Sequence, residues 1–567
     1  MQDEDSPITV CGNANELCAG YAADAYARYK GIGAVSVTYS VGAFSILNCI
    51  AGSFTEMAPV VLINGAPTNK ETQNEQNAGI LYSHTTGYKD VDIHMFRPIT
   101  AAAERITNAQ QAPYQIDAAL TVLLTQKRPV YFEVSEDVWR TPCKAPEGKL
   151  SSGAFAFEHT KETKKAVETT IQLIKQKKKE EKKFIFWAGV ELHRYGLQDE
   201  FIALMDAVNQ HHVAKDSQVK FVTSPLSKSV ISEDHQYFSK CMTMSKANIA
   251  KEIGPEGVVI GIGAWTIGKD VHNQNIRSEN TILAAHDSVL TGAFYHPMIP
   301  LKDYIVQLTQ AFIDLAEIEQ LAIHGHDFIP LPITRLYATG RDTTMSYDQF
   351  YKTLSGHMSV DDILVADAGF PLIGAQGVHI PARNGFVGQA AWLSIGFSVG
   401  AATGIKCANP DKRVFVSVGD GAFHETCQAV SDHNAYGHNT VVFVISNGVY
   451  GIEQYIVNPN PYRTGDHVVD YKKDPRLNDM YAYNKLPQWD FVKLGEAFGS
   501  IGRRVTSQAE LDDVFEDIRS HPDKNFLVEL VVPERDSPTV MHKLANKKDS
   551  VGEDEYLNPH WAPEGKF

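Results

Sequence analysis

Residues 413–418, Arg-Val-Phe-Val-Ser-Val, form an apolar, β-branched run that ends at Gly419-Asp420-Gly421. A second such run, residues 440–445, ends shortly before Asn447. Runs of this length and composition read as buried strands. Between them, residues 425–436 have the length and composition of a helix and stop at Gly437. A strand, helix, strand unit of this size is a right-handed parallel crossover, so both strands deliver their carboxyl ends to one edge of a sheet. Asp420 and Asn447 are therefore expected to be neighbours at that edge.

A carboxylate, a side-chain amide oxygen and a nearby backbone carbonyl suit Mg2+, which takes near-octahedral oxygen ligation completed by water and phosphate oxygens. Gly421 and Ala422 lack side chains that would keep a phosphate from the backbone amides at the following helix start. Together these residues read as a metal-diphosphate cradle. Taken alone, Gly-Asp-Gly also suits an ordinary strand-to-helix turn, and the rest of the chain decides between the two.

At the amino end, residues 8–11 read as a short strand, and residues 12–15 lead into a helix beginning near Glu16, where an acid is favourable in the first turn. The segment Gly-Asn-Ala-Asn-Glu-Leu-Cys-Ala-Gly-Tyr-Ala-Ala-Asp-Ala-Tyr-Ala-Arg, residues 12–28, closely resembles the activating-glutamate segment of thiamine diphosphate-dependent 2-oxo acid decarboxylases, the pyruvate and indolepyruvate decarboxylase family. The resemblance continues in family order through Thr38-Tyr39-Ser40-Val41-Gly42, residues 392–397 (Trp-Leu-Ser-Ile-Gly-Phe) and residues 447–453 (Asn-Gly-Val-Tyr-Gly-Ile-Glu). It covers essentially the whole chain and is weakest in the middle third.

The resemblance implies a role for each matching residue. Asp420, Asn447 and the carbonyl of Val449 would hold Mg2+ against the diphosphate, with Gly419, Gly421, Ala422, Tyr450 and Ile452 lining the cofactor. Ile395 would support the bent cofactor, the carbonyl of Leu393 would accept from the exocyclic pyrimidine nitrogen, and Val41 would pack on the pyrimidine. Glu16 would hydrogen-bond the far pyrimidine nitrogen and so activate the cofactor. Decarboxylation to an aldehyde also needs a proton donor. Glu453 matches the family's pocket glutamate, and desolvation by Ile452 and Ile456 would favour its protonated form. It also reads as a helix-surface carboxylate.

Two departures from the family pattern stand out. Tyr82-Ser83-His84-Thr85 falls where the family carries two consecutive histidines, leaving His84 as a candidate proton relay that reads equally well as a structural histidine. The family also places a strand, a helix and an aspartate-bearing loop ahead of the glutamate segment, whereas only Met1 to Pro7 precede the expected first strand here. On this reading the amino-terminal part of the first domain is missing and protonation is the weakened step.

The chain has 567 residues, which suggests roughly three to four domains, and its 43% hydrophobic content supports sizeable cores. Its net charge of -16, from 68 acidic and 52 basic side chains, disfavours nucleic acid and anionic membranes as partners. The basic run at 175–183 is interrupted by Glu180 and Glu181 and reads as a solvated helix end. Seven scattered cysteines without a Cys-x-x-Cys pair suggest neither a disulfide framework nor a zinc site, and point to a reducing cytoplasm. The acidic amino terminus is unlike a signal peptide, and no run of about 18 apolar residues occurs.

The expected fold is α/β, with three doubly wound parallel-sheet domains. These are a pyrimidine-binding domain at 1–145, a central domain at 160–330 and a diphosphate-binding domain at 342–567, separated by a polar linker at 142–160 and a proline-bearing boundary at 329–341. Strands are expected at 60–63, 130–134, 183–188, 257–262 and 525–532, the last followed by a polar tail. Gly261-Ile262-Gly263 lacks the remaining glycine of a dinucleotide fingerprint and reads as a strand-end turn.

The resemblance implies a homodimer or dimer of dimers with interfacial sites, acting on a small 2-oxo acid such as pyruvate, indolepyruvate, phenylpyruvate or a branched-chain acid. The alternatives are an acetolactate synthase-like carboligase, which Glu453 disfavours, and a catalytically silent cofactor-binding paralogue.

Overall fold

The computed structural model describes residues 8–150, 160–210, 218–266, 279–314, 343–464 and 478–545. Helix α1 (Glu16–Lys30) follows from its ends: the Asn15 side chain accepts from Cys18 N, Glu16 sits in the first turn, Arg28 and Lys30 in the last, and Gly31 closes it in the left-handed conformation (φ 82°). Helix α2 spans Val41–Glu56. Strands β1 (Gly33–Val37), β2 (Val60–Ala66), β3 (Ala102–Ile106) and β4 (Val130–Ser135) form a wholly parallel sheet in the order β1-β2-β4-β3.

The second sheet holds β5 (Phe184–Ala188), β6 (Phe221–Thr223), β7 (Phe238–Cys241), β8 (Val258–Ile262), β9 (Thr281–Ala285), β10 (Ser288–Thr291) and β11 (Phe294–Pro297). Its order is β11-β10-β9-β8-β5-β6-β7, parallel except for the antiparallel β9-β10-β11 edge. Gly263 has φ 63°, so the turn after β8 is the simple strand-end turn expected.

The third sheet comprises β12 (Asp362–Ala366), β13 (Phe386–Gly388), β14 (Arg413–Gly419), β15 (Val441–Ser446), β16 (Ile501–Val505) and β17 (Phe526–Val531). It is wholly parallel in the order β13-β12-β14-β15-β17-β16. From β12 the chain runs out to the edge strand β13 and returns to β14, which puts the topological switch between β12 and β14. In such sheets, ligands sit outside the carboxyl ends of the strands at the switch.

The first and third sheets share one apolar core, in which Cys18, Tyr21, Ile46 and Leu62 join Ile363, Phe397, Val416 and Val444. The join is the contact of α1 with the helix Phe397–Ala408. Small residues set its closeness: a methyl group on Gly404 would lie 1.9 Å from the Ala22 carbonyl oxygen, and one on Gly400 would lie 3.2 Å from that of Cys18. An alanine at 404 would force the helices apart, at a cost of about 1–3 kcal/mol.

Several expectations are corrected. Residues 8–11 form no strand: Ile8 is 65% exposed, and β1, an edge strand of its sheet, pairs only with β2 among the described residues. The single helix expected at 425–436 is two helices, Asp420–Thr426 and Ala429–Ala435, the first starting at Asp420 itself. Between them the bonds Val430 N to Cys427 O and Ser431 N to Gln428 O tighten the chain to three-residue spacing. β17 leads into the helix Thr539–Ala545, with Met541 and Ala545 in the core, rather than directly into a polar tail. The basic run ends the helix Thr160–Lys179, but Lys177 is buried and paired with Glu180 at 3.2 Å. The boundary at 329–341 and the tail beyond 545 lie outside the described residues.

Candidate active site

β14 and β15 pair in parallel with Gly419 opposite Ile445, so Asp420 and Asn447 emerge at the same edge. Both are buried. Asp420 Oδ2 accepts from Gly448 N at 2.6 Å and Oδ1 from Gly421 N at 3.0 Å, while Asn447 Oδ1 accepts from Val449 N at 3.1 Å. Gly448, at φ 76°, turns the chain between these groups. Asn447 Nδ2 donates to Tyr347 Oη at 3.4 Å, and burial, then the Asp420 charge, push the Tyr347 phenol far above its ordinary range.

Val449 is bridged to Lys485 by two bonds, Tyr450 N to Asn484 O (2.8 Å) and Leu486 N to Gly448 O (2.9 Å), neither of which uses the Val449 carbonyl. A methyl group on Gly421 would lie 2.3 Å from the Tyr450 ring and 3.1 Å from Leu486, so only glycine fits there. Ala422 is buried behind it and Gly419 half-buried at the strand end. Across the switch, Gly369 (φ 91°) follows β12, and a side chain there would meet Ile452 at 3.3 Å.

The cradle would offer a cation one carboxylate, one amide oxygen and one backbone carbonyl, all hard oxygens. Among the described residues no three His, Cys, Asp or Glu side chains gather as a metal cluster. A centre with one carboxylate, which leaves ligand positions to phosphate and water, fits Mg2+. The glycine-lined floor fits a diphosphate.

Leu393 and Ile395 occupy the loop between β13 and the helix Phe397–Ala408. Leu393 has φ 63°, a strained value for a branched residue that surrounding bonds must hold. Glu56 Oε1 accepts from Ala391 N (2.7 Å) and Trp392 N (3.0 Å), Trp392 Nε1 donates to Asn48 (3.0 Å), and Ser394 Oγ bonds Tyr21 Oη and Asn48 Nδ2, both at 2.8 Å. Beyond Ile395, which packs on the shared core, Asp367 accepts from Gly396 N (3.0 Å), Ser398 N (2.8 Å) and Ser398 Oγ (2.6 Å). Burial raises the Asp367 carboxyl to about 6.

Glu16 is half-buried, and its Oε1 lies 3.5 Å from where a methyl group on Gly42 would sit, so the first turns of α1 and α2 face each other. Val41, the first residue of α2, is 55% exposed. His84 is exposed on a loop at φ 65°, its ring edge-on to Tyr39, whose hydroxyl donates to Ser83 O at 2.9 Å.

Glu453 lies in the first turn of the helix Gly451–Val457. The desolvation expected for it is absent within the single chain: Glu453 is exposed and Ile456, three residues on, is 59% exposed on the same outward face. The structure thus gathers Asp420, Asn447, Val449, Gly421 and Tyr450 into one cradle and fixes Leu393 and Ile395 in a braced loop. Val41, His84 and Glu453 are left at the surface. Sequence reading missed Glu56, Asp367, Tyr347 and Gly369, of which only Gly369, following a strand, carried a local signal.

This architecture, with an oxygen-rich glycine cradle at the switch of one parallel sheet and a glutamate-led helix of another packed beside it, is matched by known proteins. Residues 1–88 match the family described as the thiamine pyrophosphate enzyme, N-terminal TPP binding domain, and residues 367–529 its C-terminal TPP binding domain. The chain belongs to the thiamine pyrophosphate enzymes.

Within that class it is homologous to pyruvate and alpha-keto-acid decarboxylases. It is 26% identical to pyruvate decarboxylase isozyme 2 of Saccharomyces cerevisiae, over 94% of this chain and 90% of that protein. It is 27% identical to an alpha-keto-acid decarboxylase of Mycobacterium tuberculosis, over 94% and 89%. The benzoylformate decarboxylase of Polynucleobacter necessarius shares the fold, with a TM-score of 0.69 at 15% identity over 95% of this chain and 94% of that one.

Proposed function

We propose that this chain decarboxylates a small 2-oxo acid non-oxidatively to an aldehyde and carbon dioxide, using thiamine diphosphate and Mg2+. The observation that carries the reading is the cradle itself: the buried Asp420 carboxylate bonded at 2.6 Å to Gly448 N, beside Asn447, at the carboxyl ends of adjacent parallel strands. The names of the relatives support the substrate class. When bound, thiamine diphosphate supplies a nucleophilic carbon for the ketone and an electron sink for the departing carboxylate.

The protein's own residues bind, orient and move protons. Asp420, Asn447 and the Val449 carbonyl hold Mg2+, while Gly419, Gly421 and Ala422 let the diphosphate reach the backbone amides. Tyr450 and Ile452 line the cofactor and Ile395 supports it. The Leu393 carbonyl, in its braced strained turn, accepts from the pyrimidine amino group, Val41 packs on that ring, and Glu16 hydrogen-bonds its far nitrogen. Glu453 gives a proton to the substrate carbon that has lost its carboxylate, with His84 as relay.

Val41, His84 and Glu453 are exposed in one chain, which supports a homodimer or dimer of dimers whose subunits close the site together. Seven free cysteines suit a cytoplasmic setting. The test is carbon dioxide release from a panel of 2-oxo acids with thiamine diphosphate and Mg2+ supplied. Release from at least one acid, abolished by EDTA, is expected. Cofactor binding with no release from any acid would leave a silent cofactor-binding protein in its place.

A further inference from the structure

Ser40, the residue before α2, has φ 46° and ψ -78°, a conformation that side-chain-bearing residues avoid. Its own side chain does not cap the helix. It is held instead from another element: Asp92, in the first turn of the helix Val91–Phe96, accepts from Ser40 N through Oδ2 at 2.5 Å and from Ser40 Oγ through Oδ1 at 2.8 Å. Both residues are about 5% exposed. The turn is closed by Ala43 N to Thr38 O (2.9 Å) and Phe44 N to Ser40 O (2.8 Å).

One residue past this turn is the exposed Val41, and the next is Gly42, where an added methyl group would lie 3.5 Å from Glu16 Oε1. A strained backbone persists only where its surroundings over-determine it, and two charge-assisted bonds to one buried carboxylate do so here. We infer that Asp92 is a positioning residue: by clamping Ser40 in its positive-φ turn it sets the start of α2, and so the places of Val41 and Gly42 relative to Glu16. The inference rests on the proposed contact of Val41 and Glu16 with the cofactor's pyrimidine.

The clamp makes a specific demand on genetics. Glycine, lacking a Cβ, enters positive-φ backbone with less strain than serine, so Ser40→Gly relieves part of what Asp92 restrains. Asp92→Ala, Ser40→Gly and the double variant form a cycle, read by the melting temperature of the cofactor-free protein and by the dissociation constant for thiamine diphosphate with Mg2+, followed by tryptophan fluorescence.

Asp92→Ala is expected to lower the melting temperature and weaken cofactor affinity about tenfold, whereas in the Ser40→Gly background it weakens affinity at most about threefold. Asp92→Asn, which keeps an acceptor for the amide and a donor for the hydroxyl, is expected to stay within about threefold of wild type. If Asp92→Ala does not fold, folding of the double variant supports the clamp and its failure to fold overturns it. Equal losses of affinity in both backgrounds, or none in either, overturn the inference. A wild-type protein that does not bind thiamine diphosphate overturns the function and the positioning role with it, while the coupling in cofactor-free melting separately decides whether the clamp exists.

Discussion

Glu56, the last residue of α2, receives the backbone amide of Trp392 at 3.0 Å and that of Ala391 at 2.7 Å on the same carboxylate oxygen. The acid is fully buried, and its second oxygen lies 3.8 Å from Arg28 Nη1. A side chain of the first sheet's domain thus braces the turn that carries Leu393 in the third.

Glu56→Ala leaves two buried amides without a partner and is expected to cost about 1–3 kcal/mol for each group left unpaired. Glu56→Gln keeps the accepting oxygen and is expected to cost less. Urea unfolding of the two variants checks the order. A Glu56→Ala protein as stable as wild type would contradict the brace.

Asp536 accepts from Tyr347 N at 2.7 Å, and Tyr347 in turn reaches Asn447. Burial raises the Asp536 carboxyl to about 7, with the Asp348 charge adding and the Tyr347 and Ser537 amides opposing. A raised carboxyl binds its proton more tightly folded than unfolded. Its contribution is therefore complete below pH about 4 and is lost as pH climbs toward about 7, a loss on the order of a few kcal/mol. Asp536→Asn keeps the bond to Tyr347 N and does not titrate. Its melting temperature relative to wild type should rise between pH 5 and pH 7.5. A difference that stays flat or falls would contradict the assignment.

The parts of the site that sequence shows are those built from neighbours along the chain. The runs ending at Gly419 and Ser446 announce parallel strands, and Asp420 and Asn447 inherit their proximity from the register of those two strands. The acids that hold the site are silent in sequence. Glu56 acts 336 positions from Trp392, Asp92 acts 52 positions from Ser40, and Asp367 acts 31 positions from Ser398, and each sits in an unremarkable local context. The strain at Ser40 and Leu393 is likewise imposed by tertiary bonds, since neither residue type favours a positive φ. Exposure of Glu453 follows from helical phase relative to a core that the heptapeptide around it does not reveal.

Glu16→Gln keeps the size and hydrogen bonding of the side chain but not its charge. The variant is expected to bind thiamine diphosphate while exchanging the thiazolium ring proton more slowly by several orders of magnitude, the scale of a lost major catalytic group. Deuterium exchange followed by NMR after acid quench measures it. Exchange at the wild-type rate would remove Glu16 from the mechanism.

Glu453→Gln is expected to leave that proton exchange largely intact and to slow aldehyde release by about 10² to 10⁴, the range for a lost general acid. Rapid-quench product analysis separates the two steps. Equal slowing of both would assign Glu453 to binding instead.

The most direct measurement of the central claim is the melting temperature of the wild-type and Asp420→Ala proteins with and without thiamine diphosphate and Mg2+. A ligand that binds only the folded state stabilises it by about 2.7 kcal/mol at a hundred times its dissociation constant. Wild type is expected to melt higher with the pair present, EDTA to cancel the gain, and Asp420→Ala to show none. An unchanged wild-type curve at saturating cofactor, or an equal rise in the Asp420→Ala protein, would contradict the cradle.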